Sequence, residues 1–488
     1  MLTIMIRYIR TICCVLLLFA AMVSCRKSFL EITPKGNLIA TKTADYDLLM
    51  NSVGFYDYTF GFPGLVMGDD VAAEESVFQY SLANTKSMFQ WLADVYKPTE
   101  TPSELISLMA NIYMYNKIVA EVLSSSEGTD IQKRSLRAEA LANRAWTNFQ
   151  LINLYAKPYV QATAGADPGF PIITTADVTR NDFSRGTVQE MYDFIVSDLT
   201  EAIPELPVQN TIQTRMSRAA AEGLLGKVYL YMGLPAEALT HVNNCFDAIA
   251  LWTKSPLLYD YNVTLAAGGS FMPITVFGPK YPGNNPADMT ECVLARTANG
   301  GTSTGRGTSG DGLVLSSETQ ALFKSGDLRL QLYSNKLESG AAIPGGRIRK
   351  YALQYVFIGV QMAELYLLRA EAKARLNDLT GAVTDVEFLR AKRMPAADVS
   401  IESAVAGNQA SLIRFIFEER LREFAQEGYR WDDMRRMSVD PVFPPSTYQH
   451  ILFKTTGAQE IYTLKPERLV MKLPPVLLQS NPGFQDNP

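Results

Sequence analysis

Asp69, Asp70, Glu74 and Glu75 crowd one short stretch of the chain, and carboxylates set so close together raise the question of acid–base chemistry. A glycoside hydrolase holds two carboxyl groups roughly 5–10 Å apart across a scissile bond. Adjacent acids in a loop are ordinarily solvated, and no surrounding motif tunes one of these to act as an acid. The two histidines, His241 and His450, stand far apart and in no recognisable motif. Neither a Ser-His-Asp triad nor a histidine-based zinc site is therefore expected. Residues 418–436 form a second charge-dense stretch. There Glu419, Arg420 and Glu423 fall on neighbouring helical turns, the spacing of i,i+3 and i,i+4 ion pairs.

Cys25 has the clearest chemical assignment. Arg7 and Arg10 precede a short apolar run over residues 12–23, Val23 and Ser24 come next, and Arg26-Lys27 closes the segment. This is the layout of a secretory signal over residues 1–24, too short to span a bilayer as a helix. A cysteine directly after the cleavage point makes it a lipoprotein signal, with Cys25 the diacylated first residue of the mature chain. Cys13 and Cys14 leave with the leader. Cys245 and Cys292 remain, either to pair in an oxidising compartment or to sit apart as buried apolar residues. No disulfide framework, metal cluster or cofactor is expected.

The elements that must position these residues are mostly helical. The 488 residues are 47% hydrophobic, 19% charged and 10% aromatic, a globular composition able to bury a large core. A net charge of −5 leaves no basic footprint for nucleic acid. In 103–123, Leu105, Leu108, Ile112, Asn116 and Val119 recur at helical spacing, as do Leu136, Ala140, Trp146, Phe149 and Ile152 in 130–156. Trp146 and Trp431 sit inside helical patterns and are expected in the core. In 187–203, Thr187 and Glu190 form a capping box ahead of a stripe that Pro204 ends. Ser217 starts another helix, and 412–424 closes the set. Stretches 219–242 and 363–386 resemble each other: helix, short turn at Met232-Gly233 or Leu376-Asn377, helix. Small residues at such close approaches mark tetratricopeptide-like hairpins. Residues 54–91 and 251–348 lack sustained periodicity and read as long functional loops. The Pro-rich 440–488 is expected to wrap the surface.

Ordered blocks along the whole chain resemble the SusD/RagB family of outer-membrane nutrient-binding lipoproteins. Cys25-Arg-Lys-Ser-Phe-Leu-Glu-Ile-Thr-Pro34 is similar to that family's mature start. Ala138-Glu-Ala-Leu-Ala-Asn-Arg-Ala-Trp-Thr-Asn-Phe-Gln-Leu-Ile-Asn-Leu-Tyr155 resembles its long helix, and Pro171-Ile-Ile-Thr174 the strand-like piece after it. The stretch from Arg185-Gly-Thr-Val-Gln-Glu-Met-Tyr to Leu206-Pro207, and residues 315–330 with Asp327 and Arg329, follow in order. Glu418-Glu-Arg-Leu-Arg-Glu-Phe-Ala-Gln-Glu-Gly-Tyr-Arg-Trp-Asp-Asp-Met-Arg-Arg436 is the most specific block, and the ending through Asn481-Pro482 to Asn487-Pro488 resembles the family's tail. Residues 251–312 lie outside the resemblance.

The resemblance implies a mainly α fold, in which tetratricopeptide-like hairpins form an α-α superhelical scaffold with a loop-rich side containing small strands. It implies one domain over residues 25–488: helices and one binding wall in 25–250, a loop-rich insert in 251–348, and C-terminal helices with a wrapping tail in 349–488. It also implies a TonB-dependent, SusC-type β-barrel as partner and an oligosaccharide, or in some members a peptide, as ligand. The protein would be lipid-anchored at the outer membrane and exposed at the cell surface, contacting the membrane through the lipid alone. The charged block at 418–436 would then be a buried network tying the tail to the last helix, and no catalytic residue is implied. Asp70, Tyr80, Asn84 and Trp91 lie in the region that supplies one wall of the ligand site. Tyr259, Phe277, Tyr281 and Arg296 lie in the region that supplies the other. Trp91 and Phe277 have a rival role as core anchors of their loops.

Overall fold

The structure, a computed structural model, describes residues 40–180, 183–299, 312–337, 339–351 and 355–488. The leader and Cys25 lie outside these residues. The periodic stretches are helices: α1 Ser103–Glu121, α2 Asp130–Tyr155, α3 Val188–Ala202, α4 Arg218–Tyr231, α5 Pro235–Ala250, α6 Met362–Arg375, α7 Leu379–Ala391, α8 Gln409–Phe424 and α9 Tyr429–Met437. Several starts have a local cause. At α3 the Thr187 hydroxyl accepts from the Glu190 amide (3.1 Å), while the Glu190 carboxylate accepts from the Thr187 amide (2.7 Å). Thr129 and Gln132 repeat the device at α2, and Ser217 caps α4.

The helices pack in pairs, α1 on α2, α2 on α3, α4 on α5 and α6 on α7, with α5 and α8 also against α6. The expected α4–α5 and α6–α7 hairpins turn through residues in the left-handed region, Gly233 (φ 75°) and Asn377 (φ 65°). At Gly226 an added Cβ would sit 2.6 Å from Val242, so α4 and α5 approach closely there because the residue is glycine. The scaffold is thus mainly helical and tetratricopeptide-like, as expected.

Short strands gather on the loop-rich side: β1 Asp57–Gly61, β2 Val71–Glu74, β3 Thr297–Asn299, β4 Leu313–Leu315, β5 Tyr355–Phe357, β6 Gln449–Phe453 and β7 Gln459–Thr463. One sheet runs β1-β3-β5 and another β7-β6-β2-β4. In the second, Leu452 pairs parallel with Ala73, and Val71 pairs antiparallel with Leu315. The β6–β7 hairpin lies in the stretch expected only to wrap the surface. That stretch does wrap: the Asn487 side chain donates to the carbonyls of Tyr155 (2.8 Å) and Met471 (2.6 Å). Residues 171–174, expected to be strand-like, pair with no strand. The Asn116 amide takes the Ile173 carbonyl instead (2.9 Å), which removes an acceptor a ladder would need.

The main apolar cluster runs from Tyr58 to Leu473 and contains both Trp146 and Trp431. A smaller one beneath the loops gathers Tyr261, Phe271, Tyr281, Leu332 and Tyr333. Cys245 and Cys292 are buried and unpaired, the second of the two roles open to them.

Candidate functional site

The two loop regions are carried on an ionic frame. Glu419 on α8 is fully buried and meets Arg329 (2.8 Å), Arg390 (2.8 Å) and Arg422 (2.9 Å). Burial pushes its carboxyl up, but the three guanidinium groups overcome that and hold it well below the usual carboxylate range. Arg420 and Arg436 share Asp433, each at 2.9 Å, and Arg436 also meets Glu371 (2.9 Å). Arg435 donates to the carbonyls of Ala156 and Leu469, which ties the tail to the scaffold. The block at 418–436 is therefore structural over most of its length.

In the first loop region every one of the four clustered acids is taken. Asp69 pairs with Arg430 (2.5 Å) and Glu74 with Arg347, whose guanidinium lies 3.7 Å from the centre of the Phe453 ring. The Lys454 ammonium is the main cause that holds Glu75 down to about 2, helped by the amide of Thr455 (2.9 Å). Asp70 is 1% exposed, accepts from the Gln426 amide (2.7 Å) and is pushed by burial up to about 6. Trp91 is buried too. Its ring stacks on His450 (3.8 Å between centroids), and its indole N–H donates to the Met67 carbonyl. His450 also stacks on Phe89 (4.4 Å), with its two ring nitrogens each 2.7 Å from a carbonyl oxygen, of Phe89 and of Gly68. Tyr80 stands 79% exposed, and Asn84 is half-buried beside Glu100.

The second region divides in the same way. Phe277 is 66% exposed, on a turn fixed by Asn284, which donates to its carbonyl (3.1 Å). Tyr259 is half-buried, its hydroxyl shared between Asp288 (2.8 Å) and Thr290 (3.0 Å). Tyr281 is buried, with its hydroxyl toward the Tyr351 carbonyl (3.4 Å), and burial raises its pKa. Arg296 is 1% exposed and bound to the carbonyls of Thr214 and Ala295 and to Asn143. It braces α2 from behind, and burial lowers its pKa.

Four of the eight expected ligand contacts, Asp70, Trp91, Tyr281 and Arg296, are therefore placed inside, where packing or a backbone partner accounts for each. Tyr80, Asn84, Tyr259 and Phe277 reach the surface. The buried parts of the two regions meet at the turn after α8. Gln426, in the left-handed region (φ 61°), gives its amide to Asp70, while its side chain accepts from the Lys350 amide (2.8 Å). Tyr281 hydrogen-bonds the next residue, Tyr351.

Open space borders each region. A cleft of about 400 Å³ is lined by Glu74, Ser76, Arg347, Phe453 and Lys454, and one of about 490 Å³ by Gln209, Asn210, Trp252, Asp288 and Thr290. Sequence reasoning did not single out Arg347, Phe453 or Gln209. None of the three carries a clear signal in the sequence.

Compared with known families, residues 55–230 match a family (SusD-like_3) described as starch-binding and associating with the outer membrane, and residues 342–468 match the SusD family (SusD_RagB). No curated protein matches. Among solved structures, a SusD superfamily protein from Bacteroides thetaiotaomicron is 19% identical, with 92% of this chain and 100% of the other covered and a TM-score of 0.68. One from Bacteroides fragilis gives the same four values. A SusD-like carbohydrate binding protein from Bacteroides vulgatus is 17% identical over 91% of this chain and 97% of the other, with a TM-score of 0.62. At these identities the likeness is one of fold.

Proposed function

The chain belongs to the SusD/RagB family, and from that premise we propose that it is a non-catalytic, cell-surface nutrient-binding lipoprotein. It captures an oligosaccharide and hands it to a SusC-type TonB-dependent barrel in the outer membrane. The observation that carries this reading is the match of residues 55–230 to a family described as starch-binding and associating with the outer membrane. The commitment of Asp69, Asp70, Glu74 and Glu75 to structural partners supports binding over hydrolysis, since no pair among these four is left free to face a scissile bond. No helix among the described residues is long and apolar enough to cross a membrane. In this reading the lipid on Cys25 supplies the attachment.

The ligand rests on the loop-rich side, against the exposed rings of Tyr80 and Phe277, with Asn84 and Tyr259 as hydrogen-bonding groups. Asp70, Trp91, Tyr281 and Arg296 act behind them as positioning residues. Calorimetric titration of the full chain with malto-oligosaccharides, other glycans and peptides tests this. Phe277→Ala or Tyr80→Ala should weaken glycan binding about tenfold, the value of one stacked ring, with the melting temperature unchanged. Binding of peptides alone would transfer the role to a peptide ligand, and new reducing ends on incubation with glycan would overturn the non-catalytic assignment. Cys25→Ala should release the protein from the membrane fraction. A tag on the chain should recover a large β-barrel in mild detergent, and repeated recovery of the lipoprotein alone would count against the partner.

A further inference from the structure

Asp432 is the exception in an otherwise committed block. Its neighbour Asp433 holds Arg420 and Arg436, and Arg435 holds two carbonyls, but Asp432 has no hydrogen-bond or ion-pair partner among the described residues. It lines a cleft of about 380 Å³ on the helical side of the molecule, between the end of α2, the turn after α4 and residues 439–442. That size lies within the range of small-molecule sites, about 300–1,000 Å³. The hydroxyls of Tyr192 and Tyr231, residues 2% and 7% exposed, border the same cleft and are likewise without partners. Asp432 is half-buried, and it and the two tyrosines line one open space.

Charge narrows the ligand class. Lys227, Arg435 and Arg436 lie close enough to favour ionised Asp432 against the burial that raises it to about 6. Three arginines, Arg375, Arg435 and Arg436, line the cleft against two acids, Asp432 and Asp440, which disfavours a cation as the missing partner. Tyr159 and Leu230 add an apolar surface. A carboxylate, two tyrosine hydroxyls and an aromatic face together suit hydroxyl donors carried on a C–H face. We propose that this cleft is a second binding site, separate from the loop-rich side, for a neutral polyhydroxylated ligand of one or two sugar rings, with Asp432 accepting from its hydroxyls.

The test uses the full mature chain titrated with methyl glucosides, methyl galactosides, N-acetylglucosamine and maltose, with putrescine as a cationic control. Saturable binding of at least one sugar is expected. It should weaken about tenfold or more in Asp432→Asn, for loss of a charge-assisted hydrogen bond, and less in Tyr192→Phe. Neither group holds the fold, so both variants should melt as the parent does; if Asp432→Asn melts early, Tyr192→Phe decides. Hydroxyl donation favours the ionised acid, so the parent's affinity should rise between about pH 5 and 7 and the Asn variant's should not. Tyr80→Ala and Phe277→Ala should leave this binding intact, so either site can fail without the other. No saturable sugar binding, equal affinity in both variants and parent, or tighter binding of putrescine would overturn the assignment.

Discussion

The helical side encloses a network of paired ions; beneath the loops, clusters of rings carry much of the interior. Glu371, Glu419, Asp433 and their arginines lie inside the scaffold as paired charges. Beneath the loops the interior is Phe89, Trp91 and His450 in one place, and Tyr261, Phe271 and Tyr281 in another. Hydrogen-bonded ion pairs are directional and punish the removal of any partner, since an uncompensated buried charge remains. Cohesion between rings scales mostly with the area removed from water. The scaffold thus fixes one geometry, and the loops are attached to it through the turn after α8, where Gln426 and Lys350 join the two kinds of interior.

Substitutions can break this contrast or sharpen it. Glu419→Ala removes the carboxylate that three buried arginines share and should cost about 3–5 kcal/mol, read as a lower urea midpoint. Trp91→Ala should cost nearly as much, about 3–5 kcal/mol, and match Trp146→Ala although one ring lies under a loop and the other in a helix. If Trp91→Ala melts with the parent, the loop interior is not packed as described. Asp70 gives a smaller effect with a definite sign. Its folded pKa of about 6 exceeds its ordinary 3.8, so the native state binds the extra proton and stability falls as pH rises from about 4 to 6. Asp70→Asn should flatten that slope, a difference of about 3 kcal/mol by pH 7 in unfolding titrations. Tyr281→Phe should cost least, under about 1 kcal/mol, because the hydroxyl's bond to Tyr351 is long.

The same contrast explains what could be read from the chain beforehand. Leu105, Leu108, Ile112 and Asn116 are buried because they share one face of α1, and helical spacing alone announces that. Thr187 and Ser217 announce their caps just as locally. Nothing near residue 91 tells whether Trp91 faces solvent, because its burial depends on His450 arriving from the far end of the sequence. Tyr80 and Phe277 differ from Trp91 and Tyr281 in exposure, yet all four occupy similar aperiodic surroundings. The charged block was legible as a network by its i,i+3 and i,i+4 spacing. That Asp432 alone would be left over was not, since it follows from which arginines the tail and α6 consume.

The parallel pairing of β6 with β2 sets an order of events during folding. Leu452 must find Ala73 across most of the chain, and β2 then sits between β6 and β4. Contacts between such distant segments pay a large loop-closure entropy before they are rewarded, so they form late. The helical hairpins, with near neighbours in sequence, form early. Between those stages β2, apolar and buried in the finished molecule, has unpaired edges open to other chains. A newly made molecule is therefore most prone to aggregation after its scaffold has assembled and before its last hairpin has closed the sheet. Variants that weaken β6–β7 should lengthen that interval and lower yield while leaving helical content intact.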